Sequence, residues 1–122
     1  MKATRIYPAK VIKVIDGDTV DLLIDMGFNT HLKERVRLLG IDTPERGQEG
    51  YHEAKAFLEQ NYLGKEILVN TEKGKGSFGR WLGVLYDTMS GCNINEHMMN
   101  LGLARVYGDS SPVQKEASPS KA

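Results

Sequence analysis

The sequence contains one cysteine, no excess of charge of either sign and no long apolar segment. A single thiol, Cys92, excludes a disulfide within the chain and is too few for a zinc site built from thiolates. No apolar run reaches the length of a signal-peptide core or of a membrane span. We therefore expect a soluble, cytoplasmic monomer without a membrane partner, secreted only if a leader has been removed.

The charges are balanced, with 16 Lys and Arg residues against 16 Asp and Glu residues. A neutral total does not indicate a nucleic-acid-binding protein, because such proteins usually carry an excess of positive charge. It does not exclude one either, since a balanced chain can still carry a local basic patch.

The first third of the chain contains short segments in which β-branched and other apolar residues alternate with polar ones. Three of them are predicted as strands: residues 6–15, 19–26 and 31–39. The Asp16-Gly17 pair between the first two is typical of a type I′ hairpin turn, in which both central residues have φ > 0. This interpretation places Asp18 on the second strand and leaves its carboxylate unexplained.

After Pro44 the apolar residues take a helical spacing, which predicts a helix that begins near Tyr51 and stops at Gly64. Two more strands are predicted over residues 66–71 and 81–86. A short helix follows, with a capping box at Asn93 and an end at Gly102. Five strands with interposed helices favour the α+β class, as a five-stranded barrel of the OB-fold type with two to three helices. Residues 1–108 form this domain, and residues 109–122 are predicted to be a flexible tail.

Three acidic residues are candidates for chemistry: Asp18, Asp42 and Glu45. A carboxylate at the start of an interior strand needs a partner, although Asp18 could simply cap a turn or pair with a lysine. The segment from Asp42 to Glu45 (DTPE) has the residue types of a helix start, but two glycines follow within the next five residues, at positions 47 and 50. We expect DTPE to lie on a loop, where functional groups are often presented.

Two arginines complete the set of candidates. Arg37 lies between two apolar neighbours on the third strand, which would also suit a solvated strand face. Arg80 ends a basic, glycine-rich segment (residues 73–80) in which Lys73 and Lys75 are candidates for binding a nucleotide. This segment lacks the spacing of a P-loop.

Together these residue types suit the hydrolysis of a phosphodiester. The carboxylates of Asp18 and Asp42 are hard oxygen ligands for Ca²⁺ or Mg²⁺, and the residues alone do not decide between the two ions. Glu45 could act as a general base beside such an ion. Arg37 and Arg80 present planar, permanently charged forks that match phosphate oxygens.

Four segments resemble the staphylococcal nuclease family in type and in order: VIDGDTV, VRLLGIDTPE, FGR before WLGVLY, and NEHMMNLGLARV. The resemblance covers residues 9–107. It implies an OB-fold barrel and a Ca²⁺-dependent nuclease that cleaves single-stranded DNA and RNA and leaves 3′-phosphates. The non-catalytic alternative is a barrel that binds single-stranded nucleic acid or a protein partner.

The resemblance also implies a role for each matching position. Asp18, Asp42 and the main-chain carbonyl of Thr43 would bind calcium, with Asp16 just behind them. Glu45 would activate or position the attacking water. The guanidinium groups of Arg37 and Arg80 would bind the phosphate in the transition state.

The chain departs from the family pattern in two places. Family members have a pair of tyrosines near the nucleotide, whereas Tyr107 is the only candidate here, followed by Gly108-Asp109. Base stacking is therefore expected to be weaker or rearranged. Typical members also continue into a third helix where this sequence has a Ser/Pro/Lys-rich segment, and we expect a minimal or shortened domain.

Overall fold

A computed structural model describes residues 5–73 and 81–107 of the chain. The predicted tail, residues 109–122, lies outside the described residues. The first three strands are β1 (Ile6–Asp16), β2 (Thr19–Asp25) and β3 (His31–Leu38), which pair antiparallel in sequence order. Their inward positions are the apolar residues of the alternating pattern, so the predicted meander is confirmed with bounds shifted by one residue at most.

The barrel closes through the second half of the chain. After a two-residue strand, β4 (Ile41–Asp42), come β5 (Glu66–Lys73), β6 (Trp81–Asp87) and another two-residue strand, β7 (Arg105–Val106). The strand order around the closed barrel is β1-β2-β3-β6-β5, and the β3–β6 pairing is parallel. β4 and β7 form a separate antiparallel ladder. The sequence predicted neither, because a two-residue strand has no periodicity to detect.

Two helices accompany the barrel within the described residues. α1 (Tyr51–Tyr62) buries one face at the helical spacing, through Tyr51, Ala54, Leu58 and Tyr62. α2 (Ile94–Asn100) begins at Asn93, whose side chain accepts a hydrogen bond from the Glu96 main-chain N–H. The predicted α+β class and the five-stranded barrel with two to three helices are confirmed.

The turn between β1 and β2 differs from the prediction. Asp16 pairs with Thr19, so Gly17 and Asp18 are the two central residues of the turn, and Asp18 precedes the second strand. Neither residue has a positive φ, so the type I′ prediction was wrong. Gly17 serves close packing instead, because a Cβ there would lie 2.6 Å from Ala54 Cβ and 2.9 Å from Thr43 Oγ1.

A buried asparagine fixes the connection from β3 to β4. The Asn95 side-chain amide donates to the carbonyl oxygens of Leu39 (2.9 Å) and Gly83 (3.1 Å). Its oxygen accepts from the Leu85 N–H at 3.1 Å. These three hydrogen bonds fix the positions of α2, β6 and the start of the loop to Asp42 relative to one another.

Replacing Gly17 by alanine tests the close packing of the turn. We expect Gly17→Ala to destabilise the fold by about 1–3 kcal/mol, the usual effect of overpacking, since the new methyl would overlap Ala54 and Thr43. The free energy of unfolding from urea denaturation measures this loss. Ala54→Gly alone costs about 1 kcal/mol through helix propensity, and in the double variant it should recover part of the Gly17→Ala loss. A Gly17→Ala protein as stable as the wild type would contradict the packing role.

Candidate active site

A pocket of about 410 Å³ opens where β1 ends, β2 begins and β3 passes into β4. Residues from the β1–β2 turn, β3 and the DTPE segment form its walls. The barrel therefore brings together residues that are up to 31 positions apart in the sequence, from Ile15 to Arg46. These include most of the residues that the sequence singled out.

Arg37 lies at the centre of this group. Its Nη2 donates to Asp42 Oδ1 at 2.9 Å and to Asp18 Oδ2 at 3.3 Å. The Arg37 side chain is only 15% exposed and that of Asp18 only 12%, so a solvated strand face does not describe this arginine. Two carboxylates that converge on a single cationic nitrogen form a compact cation-binding arrangement.

The Asp18 carboxylate is fixed by further contacts. Its Oδ1 accepts from the Thr19 hydroxyl at 3.1 Å, and its Oδ2 accepts from the Thr43 main-chain N–H at 3.2 Å. The Asp18 carbonyl oxygen also accepts from the Leu38 N–H at 2.8 Å. Asp18 is thus neither a simple turn cap nor the partner of a lysine, because its contacts join the turn to β3 and to the DTPE segment.

Asp42 has a second partner, which sequence reasoning missed. Arg105 Nη2 lies 3.5 Å from Asp42 Oδ2, and the two residues are opposite each other in the β4–β7 ladder. Each oxygen of Asp42 therefore contacts a different guanidinium group. Only the tertiary pairing shows this contact, because 63 positions separate the two residues.

Asp16 is held from the side of the helix. The Tyr51 hydroxyl donates to Asp16 Oδ1 at 3.0 Å, although Tyr51 itself is 4% exposed. The Tyr51 ring lies on the buried face of α1, and the sequence indicated no role for its hydroxyl. The contact shows that Asp16 links the β1–β2 turn to the first turn of α1.

Glu45 lies on the loop between β4 and α1, as predicted. The helix begins at Tyr51, after Gly50 in a left-handed conformation, so the helix-start interpretation of DTPE was wrong. The Glu45 main chain exchanges hydrogen bonds with Gln48: its N–H donates to Gln48 Oε1, and its carbonyl accepts from the Gln48 N–H, both at 2.8 Å. The side chain of Glu45 is exposed, lines the pocket and has no hydrogen bond or ion pair within the described part of the chain.

Tyr107 borders the same site. The Arg37 Cζ lies 4.9 Å from the centre of its ring, a cation–π distance. The Tyr107 N–H donates to the Gly40 carbonyl at 2.9 Å, which fixes the backbone beside β4, while the residue is 63% exposed. Tyr107 is therefore available beside the arginine, and its contact with a nucleotide stays a prediction.

Three predicted residues cannot be placed in this site. Arg80 and Lys75 lie outside the described residues, and Lys73 is described only as the last residue of the β5 backbone. Among residues 5–73 and 81–107, no group of three or more His, Cys, Asp and Glu side chains is arranged to bind a metal ion. In the same ranges, no helix is long and apolar enough to cross a membrane.

Comparison with known proteins agrees with this architecture. Residues 35–121 match the model of the family described as staphylococcal nuclease homologue. A protein of Shigella flexneri named micrococcal nuclease is 34% identical over 118 residues, covering 88% of this chain and 64% of that protein. Protein ParB of Escherichia coli is 33% identical, covering 80% and 56%.

A protein of Escherichia coli O157:H7 named uncharacterized endonuclease is 32% identical over 98 residues, covering 80% of this chain and 60% of that protein. The chain thus spans less than two thirds of the length of these curated relatives. The family match nevertheless covers well over half of the chain and includes Arg37, Asp42 and Glu45. The chain belongs to the staphylococcal nuclease homologue family.

Proposed function

We propose that this chain is a Ca²⁺-dependent phosphodiesterase that hydrolyses single-stranded or flexible DNA and RNA to products with 3′-phosphates. The observation that carries the proposal is the convergence of Asp18 and Asp42 on Arg37 Nη2, in the wall of a pocket that Glu45 also lines. Acids for a cation, an unpaired carboxylate and an arginine are the groups that phosphodiester hydrolysis requires. The names of two relatives, a micrococcal nuclease and an endonuclease, support the same class of activity.

The residues present fit a hard divalent cation. Both aspartates offer oxygen atoms to one shared cationic position, now taken by a guanidinium nitrogen. Ca²⁺ accepts carboxylates, main-chain carbonyls and waters together, so two protein carboxylates suffice if the Thr43 carbonyl, waters and a substrate phosphate supply the rest. Mg²⁺ would accept the same donors, and the choice of Ca²⁺ rests on the family.

A bound cation would neutralise charge on the phosphate and polarise its P–O bonds. The chain's own residues supply the remaining chemistry. Glu45, whose carboxylate has no partner in the described structure, accepts a proton from the water that attacks phosphorus. The P–O5′ bond then breaks, the 5′ oxygen takes up a proton from solvent water, and the phosphate stays on the 3′ side.

Arg37 binds the phosphate oxygens as negative charge builds up on them. Its contacts with both aspartates involve Nη2, so its remaining N–H groups are not committed to those two acids. The Tyr107 ring limits the directions in which the guanidinium can turn. In the proposal, Arg80 adds a second fork, and Lys73, Lys75 and Tyr107 contact the nucleotide.

Cleavage of end-labelled single-stranded DNA and RNA tests the proposal. We expect cleavage with Ca²⁺, none with chelator, and a loss of about 100-fold or more in Asp18→Asn, because one of two carboxylate ligands becomes a neutral amide. Glu45→Gln should lose cleavage as well but keep its calcium binding. Glu49→Gln is the matched control, an exposed acid of the same loop that does not line the pocket, and should cleave normally.

Failure to cleave with any divalent ion, combined with binding of the oligonucleotide, would favour the non-catalytic barrel instead. Cleavage retained in Asp18→Asn would remove the metal assignment.

Two arginine-to-lysine changes allow a matched test of transition-state binding. Arg37→Lys keeps the charge but loses the planar fork, so kcat should fall about 100-fold, comparable to removing one oxyanion donor. Arg5→Lys changes an exposed arginine outside the pocket and should leave kcat near the wild-type value. Circular dichroism checks that both variants fold. Equal kcat values for the two variants would make Arg37 a structural residue.

A further inference from the structure

The outer face of β1, β2 and β3 carries positive charge that leads away from the pocket. We propose that Lys13, Lys33 and Arg35, here called the cationic track, bind the phosphates of a single strand of nucleic acid on one side of the cleavage site. The inference rests on the proposed function, which supplies the partner: the track begins beside Arg37, so a nucleic-acid strand bound in the pocket would continue along it. It concerns residues outside the pocket and can be tested without cleavage.

The strand register places the track in line with the site. Lys33, Arg35 and Arg37 occupy alternate positions of β3, while Val36 and Leu38 between and beyond them point into the core. Alternate residues of one strand lie on the same face, about 6.6 Å apart. Lys33, Arg35 and Arg37 thus follow one another at equal intervals along β3, and Arg37 contacts Asp18 and Asp42.

The neighbouring strands add to this face. Asp21 of β2 pairs with Arg35 on one side and with Lys13 on the other. Its carboxylate interacts electrostatically with all three track cations. The pKa of Asp21 is lowered by the hydrogen bond from Arg35, against the effect of burial, and further by the charges of Arg35, Lys33 and Lys13. Asp16 adds a second negative charge near Arg35, and two acids among three cations still leave a net positive surface.

The groups that face the track from its margins do not cancel this charge. Asp25 is the next acid on the outer face of β2 and lies opposite His31, at the end away from the pocket. Glu66 lies opposite Lys10, one strand further away, and we leave Lys10 out of the track for that reason. Leu23 separates Lys10 from Lys33 across the sheet.

Arg35 is oriented by an ion pair with Asp21 and still has N–H donors that the pair does not occupy. It donates from Nε to Asp21 Oδ1 at 2.8 Å and from Nη2 to Asp21 Oδ2 at 3.3 Å. Its side chain is nevertheless 56% exposed. A guanidinium has five N–H donors, so the other donors of Arg35 can contact a phosphate while the ion pair orients the side chain.

The chemistry of the track selects the backbone of a strand rather than its bases. Its side chains are cationic, with Leu23 between the strands and no aromatic ring for base stacking. A row of cations without stacking groups follows one phosphate backbone and reads no bases. The partner is therefore the single strand on which the proposed nuclease acts, bound without sequence preference.

The test measures binding of a labelled oligothymidylate of about 16 nucleotides, the upper end of site sizes for such a barrel. Fluorescence anisotropy is recorded in EDTA over a range of salt concentrations, so that no cleavage occurs. Each lost phosphate contact reduces the slope of log K against log salt by about 0.7 for single strands. Lys13→Gln/Lys33→Gln should therefore bind several-fold more weakly at low salt, with a slope smaller by about 1.4. Lys55→Gln/Lys65→Gln, which changes two lysines on and just after α1, is the matched control.

The outcomes distinguish failure of the cationic-track proposal from failure of the proposed nuclease activity. A weaker affinity and a smaller slope in the track variant but not in the control support the proposal. Equal effects of the two double variants, no effect of either, or no binding by the wild type would overturn it. If the track variant behaves as expected but the wild type cleaves no nucleic acid with any divalent ion, the track stands and the proposed nuclease fails.

Discussion

The contact of one Arg37 nitrogen with both Asp18 and Asp42 is the interaction on which the site depends. Two carboxylates this close repel each other, and burial makes the repulsion stronger, so they need a cation between them. Arg37 supplies that cation in the structure described here. In the proposed function a divalent ion shares the same two acids, and the guanidinium turns part of its donor set toward the phosphate.

The barrel provides this arrangement through close packing. Gly17 lets the β1–β2 turn approach α1 and Thr43, which places the Asp18 carboxylate within reach of the Thr43 N–H. Asn95 joins Leu39, between β3 and β4, to Gly83 and Leu85 of β6 by three hydrogen bonds. β7 then pairs with β4 and brings Arg105 to the second oxygen of Asp42. Asp18 and Asp42 are thus each oriented by groups from two separate segments of the chain.

Much of this architecture was predictable from the sequence because periodicity reports burial. The alternation in residues 19–26 and 31–39 and the helical spacing after Tyr51 gave the barrel and α1 nearly residue by residue. The acids and Arg37 were identified by residue type and by resemblance to a family. The sequence could not give contacts between distant segments, such as Arg105 with Asp42 or the Tyr51 hydroxyl with Asp16. The turn type at Gly17 was predicted wrongly for a related reason. Close packing and a positive φ both require glycine, and only the folded structure shows that close packing applies here.

The central claim is that Asp18 and Asp42 together form a site for one divalent cation. Titration calorimetry with CaCl₂ in the absence of nucleic acid tests it most directly. We expect the wild type to bind a single Ca²⁺ and Asp42→Asn, shown by circular dichroism to be folded, to lose this binding. Calcium binding that is unchanged in Asp42→Asn, or absent from the wild-type protein, would rule out a shared cation site at these two acids.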